Sequence, residues 1–171
     1  TAYCMKQRGD FEVVGLTSLR YKAFVESTGY YDTVIAYDMI EGRDKAPTVI
    51  ADMAGNGALL ARLYAHLRDN VKYGCAVGKS HYDGAAAPKP DEGAPMKLLF
   101  APDYAKSRIS EWGGAGLAQR LGERWVPFLN DAAKWMSVND PAGIEAMLSA
   151  YKDLLNGTAD PTQAALFSLK D

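Results

Sequence analysis

Apolar residues in this chain come in short runs separated by polar turns, and between several runs they return at helical spacing. Phe11-Glu12-Val13-Val14-Gly15-Leu16 is such a run, bounded by polar residues as a buried parallel strand would be. Thr17-Ser18 then offers an N-cap, and Tyr21, Phe24 and Val25 recur at helical spacing until Gly29 supplies a stop. Thr33-Val34-Ile35-Ala36-Tyr37 is β-branched and aromatic, and predicts the next strand.

The same reading extends in both directions. Thr1 to Arg8 predicts the end of a helix, with Gly9-Asp10 as its exit turn. Met39 to Ala46 shows no helical period, and Pro47 to Met53 predicts a buried strand whose proline sits at the tolerated first position. After the tight turn Ala54-Gly55-Asn56-Gly57, the stripe Leu59, Leu60, Leu63, Tyr64, Leu67 predicts an amphipathic helix. Val71 to Val77 predicts a strand, Asp83 to Pro95 a loop rich in alanine, glycine and proline, and Lys97 to Ala101 a short strand stopped by Pro102. A helix within Tyr104 to Leu121 is interrupted near Gly113-Gly114. A second helical stretch carries Trp125, Phe128, Leu129, Ala132, Trp135 and Met136 on one face, as core or a domain contact. Helix Ile144 to Leu155 follows Pro141-Ala142-Gly143, and Ala165 to Leu169 predicts a last strand. The result is one α/β domain over residues 1–171, with a mostly parallel sheet and flanking helices.

Composition narrows the class. A length of 171 residues, 48% hydrophobic and 23% charged, suits one soluble domain with a real core. A net charge of −2 argues against a nucleic-acid or anionic-membrane partner, and no apolar run approaches the roughly 20 residues that span a bilayer. TAYCMKQRGD does not read as a signal peptide. Cys4 and Cys75 are too few for a disulfide framework and fit free thiols in a reducing cytoplasm. With His66 and His81 as the two histidines and no C-x-x-C spacing, no metal site is expected.

Ligands of doubly wound sheets collect beyond the carboxyl ends of the strands. There the first turn holds Thr17, Ser18, Arg20 and Lys22, hydroxyls with two cations, which suit a phosphate; a solvated helix start is the plainer alternative. The following strand closes on Tyr37 rather than on the acidic residue that holds a ribose 2′-OH, which points to a 2′-phosphate and so to NADP.

The succession VVGLTS, YYDTVIAYD, TVIADMAGN and YGCAVG resembles the cofactor domain of the medium-chain dehydrogenase/reductase superfamily, in particular its quinone oxidoreductases and enone reductases. The longer wording, from GLTS through DMAGN to FAPD and EWG, resembles more closely an uncharacterised branch, domain of unknown function 2855. The superfamily resemblance implies a Rossmann-like sheet binding NADPH. Ser18 with Arg20 or Lys22 would hold the 2′-phosphate, helped by Tyr37. Asp52 and Gly55 would form the D-x-x-G turn, and Gly78 would lie at the nicotinamide end. Asn56 could bond the cofactor ribose, or serve as ordinary turn chemistry. His81, with Tyr82 beside it, is the candidate proton donor to an enolate on the substrate side; a loop histidine satisfied by solvent is the alternative.

Two features of the superfamily are absent: the first strand with its glycine-rich turn, and the preceding substrate domain. In the order 3-2-1-4-5-6 the absent strand is the central one, so a missing N-terminal region or a partner chain is expected to complete the sheet. The resemblance implies an NADP-dependent reductase, zinc-independent, acting on an activated C=C or quinone-like small molecule. A homodimer through edge strand 97–101 is a further expectation. The competing expectation is a non-catalytic nucleotide-binding or scaffolding relative.

Overall fold

The computed structural model of the protein describes residues 1–79 and 92–168. Helix α1 (Ala2–Lys6) leads to strand β1 (Val14–Thr17), a 3-10 turn over Leu19–Tyr21, and helix α2 (Lys22–Ser27). Gly29, at φ 70, ends that helix in the left-handed region. Strand β2 (Thr33–Ala36) runs parallel to β1, with Thr17 opposite Ala36. A 3-10 turn over Tyr37–Gly42 then leads to β3 (Thr48–Asp52).

Helix α3 (Gly57–Leu67) returns the chain to β4 (Val71–Ala76), and β5 (Met96–Leu98) follows; β3, β4 and β5 pair in parallel in that order. Helix α4 (Ala101–Ala132) is broken at Gly113, where φ is 71 and ψ 164. Strand β6 (Ser137–Asn139), helix α5 (Ile144–Leu155) and strand β7 (Gln163–Ala165) close the described chain as a separate parallel pair with its crossover helix. The fold is mixed α/β with small parallel sheets. No helix among the described residues is long and apolar enough to cross a membrane.

The core lies under α3. Leu60, Leu63, Tyr64 and Leu67 project from its buried stripe onto Ile40, Ile50 and Val71, with Leu16, Leu59 and Met96 packed around them. Ile50 alternates with exposed Val49 and Ala51 along β3, so α3 covers one face of that strand. A second cluster is aromatic. The Trp135 Nε1–H donates to the Tyr30 hydroxyl at 2.9 Å, and Tyr3, Phe24, Tyr30 and Phe128 meet edge-on or tilted around it. Part of the predicted Trp125–Met136 stripe therefore packs on α1 and α2, while Trp125 and Leu129 stay exposed.

Several predicted boundaries move. The first strand starts at Val14, not Phe11, because Phe11 is exposed and the Asp32 carboxylate takes the Val13 N–H at 2.8 Å just outside the ladder. The connection after β2 is helical at its start, and its two 3-10 turns bury Ile40 alone, too little to show a period. Pro102 sits in the first turn of α4, where its missing N–H is harmless, so it opens a helix as well as ending a strand. The last strand begins at Gln163, and β6, all exposed, carries no apolar run at all.

Candidate functional site at the carboxyl rim

The carboxyl ends of β1 to β4 form one rim. Thr17 lies opposite Ala36, so Ser18 leaves β1 where Tyr37 leaves β2. The Tyr37 phenol is close enough to the Asp52 carboxylate at the end of β3 to feel its charge. Asp52 lies opposite Ala76, and its carbonyl accepts the N–H of Val77 at 2.8 Å and of Gly78 at 3.3 Å. Thr17, Ser18, Tyr37, Asp52, Gly55 and Gly78 are thus brought to one side of the parallel strands.

Asp52 builds its own turn. Its carboxylate accepts the N–H of Ala54 at 3.1 Å and of Gly55 at 3.0 and 3.1 Å, an Asx-type arrangement that turns the chain into α3. Gly55, at φ 71, occupies the left-handed region, and its Cα lies so close to Lys79 that an added Cβ would sit 2.6 Å from Cγ. Gly78 approaches the Met53 carbonyl equally closely; a Cβ there would sit 2.7 Å from the oxygen. Asn56 caps α3, its side-chain oxygen taking the Leu59 N–H at 3.1 Å, which is ordinary turn chemistry.

The predicted cations are engaged. An Arg20 Nη donates to the Gly157 carbonyl at 3.0 Å, and the guanidinium lies 5.1 Å from the centre of the Tyr21 ring. The Tyr21 hydroxyl donates to the same carbonyl at 2.8 Å. Lys22 is ion-paired with Glu26 one turn along α2. The hydroxyls of Thr17 and Ser18, by contrast, take no hydrogen-bond partner among the described residues. His66 bonds the Arg43 carbonyl through Nε2 at 2.9 Å. His81 and Tyr82 lie outside the described residues. Among the described residues no cluster of His, Cys, Asp or Glu is placed to hold a metal ion.

Three contacts escaped the sequence. The Arg20 and Tyr21 contacts to Gly157 cross more than 130 positions of chain and had no local signal. Nor did the seat of Lys79 on Gly55. A cavity of about 280 Å³ lies elsewhere, between α1 and the end of α2, lined by Tyr3, Lys6, Thr28, Tyr30 and Asp131 among others, and shares no residue with the rim.

Burial first, and the Asp52 charge second, push the Tyr37 phenol above its usual pKa. The folded chain therefore holds the Tyr37 proton more tightly than the unfolded chain does. The resulting stability is complete below the unfolded value of about 10 and is lost as pH rises through the folded value. Tyr37→Phe is expected to flatten the alkaline limb of the stability curve, read as urea midpoints from neutral to alkaline pH. An unchanged limb would show that Tyr37 is solvated.

Residues 1–160 match the family model described as "Protein of unknown function (DUF2855)". No curated protein matches, and no solved structure matches. With nearly its whole length inside that model, the chain belongs to the DUF2855 family.

Proposed function

We propose that this chain is the Rossmann-like cofactor-binding part of an NADP-dependent oxidoreductase, of the zinc-independent quinone or enone reductase type. The observation that carries the proposal is the rim itself: Ser18, Tyr37, Asp52 and Gly78 stand in sequence along the carboxyl ends of parallel strands, where such sheets bind nucleotides. The donor set fits a 2′-phosphate. Thr17 and Ser18 present hydroxyls with no partner among the described residues, and Arg20 spends one of its five guanidinium N–H groups on the Gly157 carbonyl. Lys22 would exchange Glu26 for the phosphate, or share it.

In this proposal Tyr37 stays protonated and donates toward the phosphate end, while the Asp52 turn and Gly78 let the backbone approach the ribose and nicotinamide closely. NADPH, when bound, supplies the hydride. His81 or Tyr82 would give the proton to the substrate enolate. β5, paired on one side by β4 and with Leu98 77% exposed, would extend across a homodimer.

A non-catalytic nucleotide-binding or scaffolding role is the second reading. It is favoured by the engagement of both cations, Arg20 with Gly157 and Lys22 with Glu26.

Titration with NADPH and with NADH, followed by nicotinamide fluorescence, separates these. Arg20→Ala and Lys22→Ala are each expected to weaken NADPH about 10- to 100-fold, the loss of a charged hydrogen bond of about 1.5–3 kcal/mol, and to leave NADH unchanged. Equal loss for both nucleotides would place the cations elsewhere than at the 2′-phosphate. No binding of either would overturn the cofactor proposal, and binding without turnover of quinones or enones would favour the non-catalytic role.

A further inference from the structure

Helix α5 buries none of its residues, although most of them are apolar. Its exposed apolar residues are ordered. Ile144, Leu148, Tyr151 and Leu155 follow one another at steps of four, three and four, the d-a-d-a spacing of a coiled-coil seam. They are 60%, 47%, 55% and 53% exposed, whereas the less exposed Ala146, Met147 and Ala150 lie on a different side of the helix. Among the described residues nothing covers this seam.

The residues flanking the seam indicate what does. On one flank stand Glu145 and Lys152, both at e positions, the acid in the first turn and the base in the last. Their side chains have no partner among the described residues. On the other flank stand Met147 and Leu154, both at g positions, and Leu154 is 67% exposed. Antiparallel helices set e beside e and g beside g, whereas parallel helices set g beside e. An antiparallel copy of α5 therefore suits every flanking residue. Glu145 meets Lys152 of the second copy, Met147 meets its Leu154, and two-fold symmetry repeats each contact. The seam closes in the same register, with Ile144 against Leu155 of the second copy and Leu148 against its Tyr151. A parallel copy would press Met147 and Leu154 onto the charges.

We propose that α5 is a self-association surface, and that its occupant is α5 of a second copy of this chain, packed antiparallel about a two-fold axis. The helix is about 18 Å long, enough for the four apolar layers of that register. Tyr151 adds a large apolar ring to the inner layers and can keep its hydroxyl at the wet edge of the contact. The surface is separate from edge strand β5 and shares no residue with the carboxyl rim. It therefore stands whether or not a nucleotide binds there.

The test is sedimentation equilibrium of the full protein, unmodified and with substitutions on α5. Positions 145, 148 and 152 are exposed, so the changes leave the fold intact and circular dichroism should match throughout. The unmodified protein is expected to self-associate, and Leu148→Glu to weaken that association more than about 100-fold, because each copy would bury an unpaired carboxylate in the seam. Glu145→Lys and Lys152→Glu each turn two attractive pairs per dimer into repulsive ones, and each should weaken association about 3- to 30-fold. The double variant Glu145→Lys/Lys152→Glu exchanges the signs, and should return association to within about 3-fold of the unmodified protein. A monomeric unmodified protein would overturn the proposal. So would a mass that Leu148→Glu leaves unchanged, which assigns the contact to another surface. A double variant no tighter than the single ones would overturn the antiparallel register.

Discussion

Leu60→Ala is expected to remove about 2–5 kcal/mol of folding stability, whereas Leu98→Ala should stay within about 0.5 kcal/mol. Both substitutions delete the same atoms from a leucine. Leu60 is 3% exposed on the buried stripe of α3, against Ile40, Ile50 and Val71. Leu98 is 77% exposed at the end of an edge strand. The cluster around α3 is small, and a lost side chain there leaves a cavity that the fixed strand β3 on one side and the Ile40 turn on the other cannot close. Against a total stability of about 5–15 kcal/mol, one such change approaches unfolding. Urea denaturation reads it as a lower midpoint with an unchanged slope. A Leu60→Ala loss no larger than that of Leu98→Ala would mean that α3 does not carry the core.

Physical scale explains which elements were legible in the sequence. α3 was visible because an eleven-residue helix with one buried face repeats its apolar residues three times over. β3 and β4 were visible because strands with a covered face need apolar side chains, and the break at Gly113 because glycine can take a positive φ without a Cβ penalty. β6 was invisible for the opposite reason: Ser137, Val138 and Asn139 are all exposed, so its pairing with β7 rests on the backbone and on bonds from Ser137 and Asn139 to Gln163. At the rim, each residue's type was legible but its partners were not. Ser18 and Tyr37 could be placed at strand ends from sequence alone. That Gly157 would occupy Arg20, or that Lys79 would lie on Gly55, depends on contacts made across the fold.

That last contact supports the other large effect. Gly55→Ala and Gly78→Ala are each expected to lower stability by about 1–3 kcal/mol, and the double variant by less than the sum. Gly42→Ala, with nothing within 4 Å of its added Cβ and no positive φ, should be nearly neutral. At Gly55 two terms act together: an alanine at φ 71 is strained in its backbone, and its Cβ meets the Lys79 side chain and, at 3.1 Å, the Lys79 Cα. At Gly78 the obstacle is the Met53 carbonyl, 2.7 Å from the added Cβ. That carbonyl cannot simply withdraw, because its neighbour Asp52 holds Val77 and Gly78 through its own carbonyl and Ala54 and Gly55 through its carboxylate. The segment after β3 and the segment after β4 are therefore pressed against each other at two points, and either alanine pushes them apart. Once they have separated, the second alanine meets less resistance, which is why the two losses fall short of additivity. Under the proposed cofactor role, the same separation would spoil a close approach of NADPH to the backbone, and its affinity would fall in the single variants under conditions where they remain folded. Strict additivity in the urea midpoints would show instead that the two glycines act on independent segments.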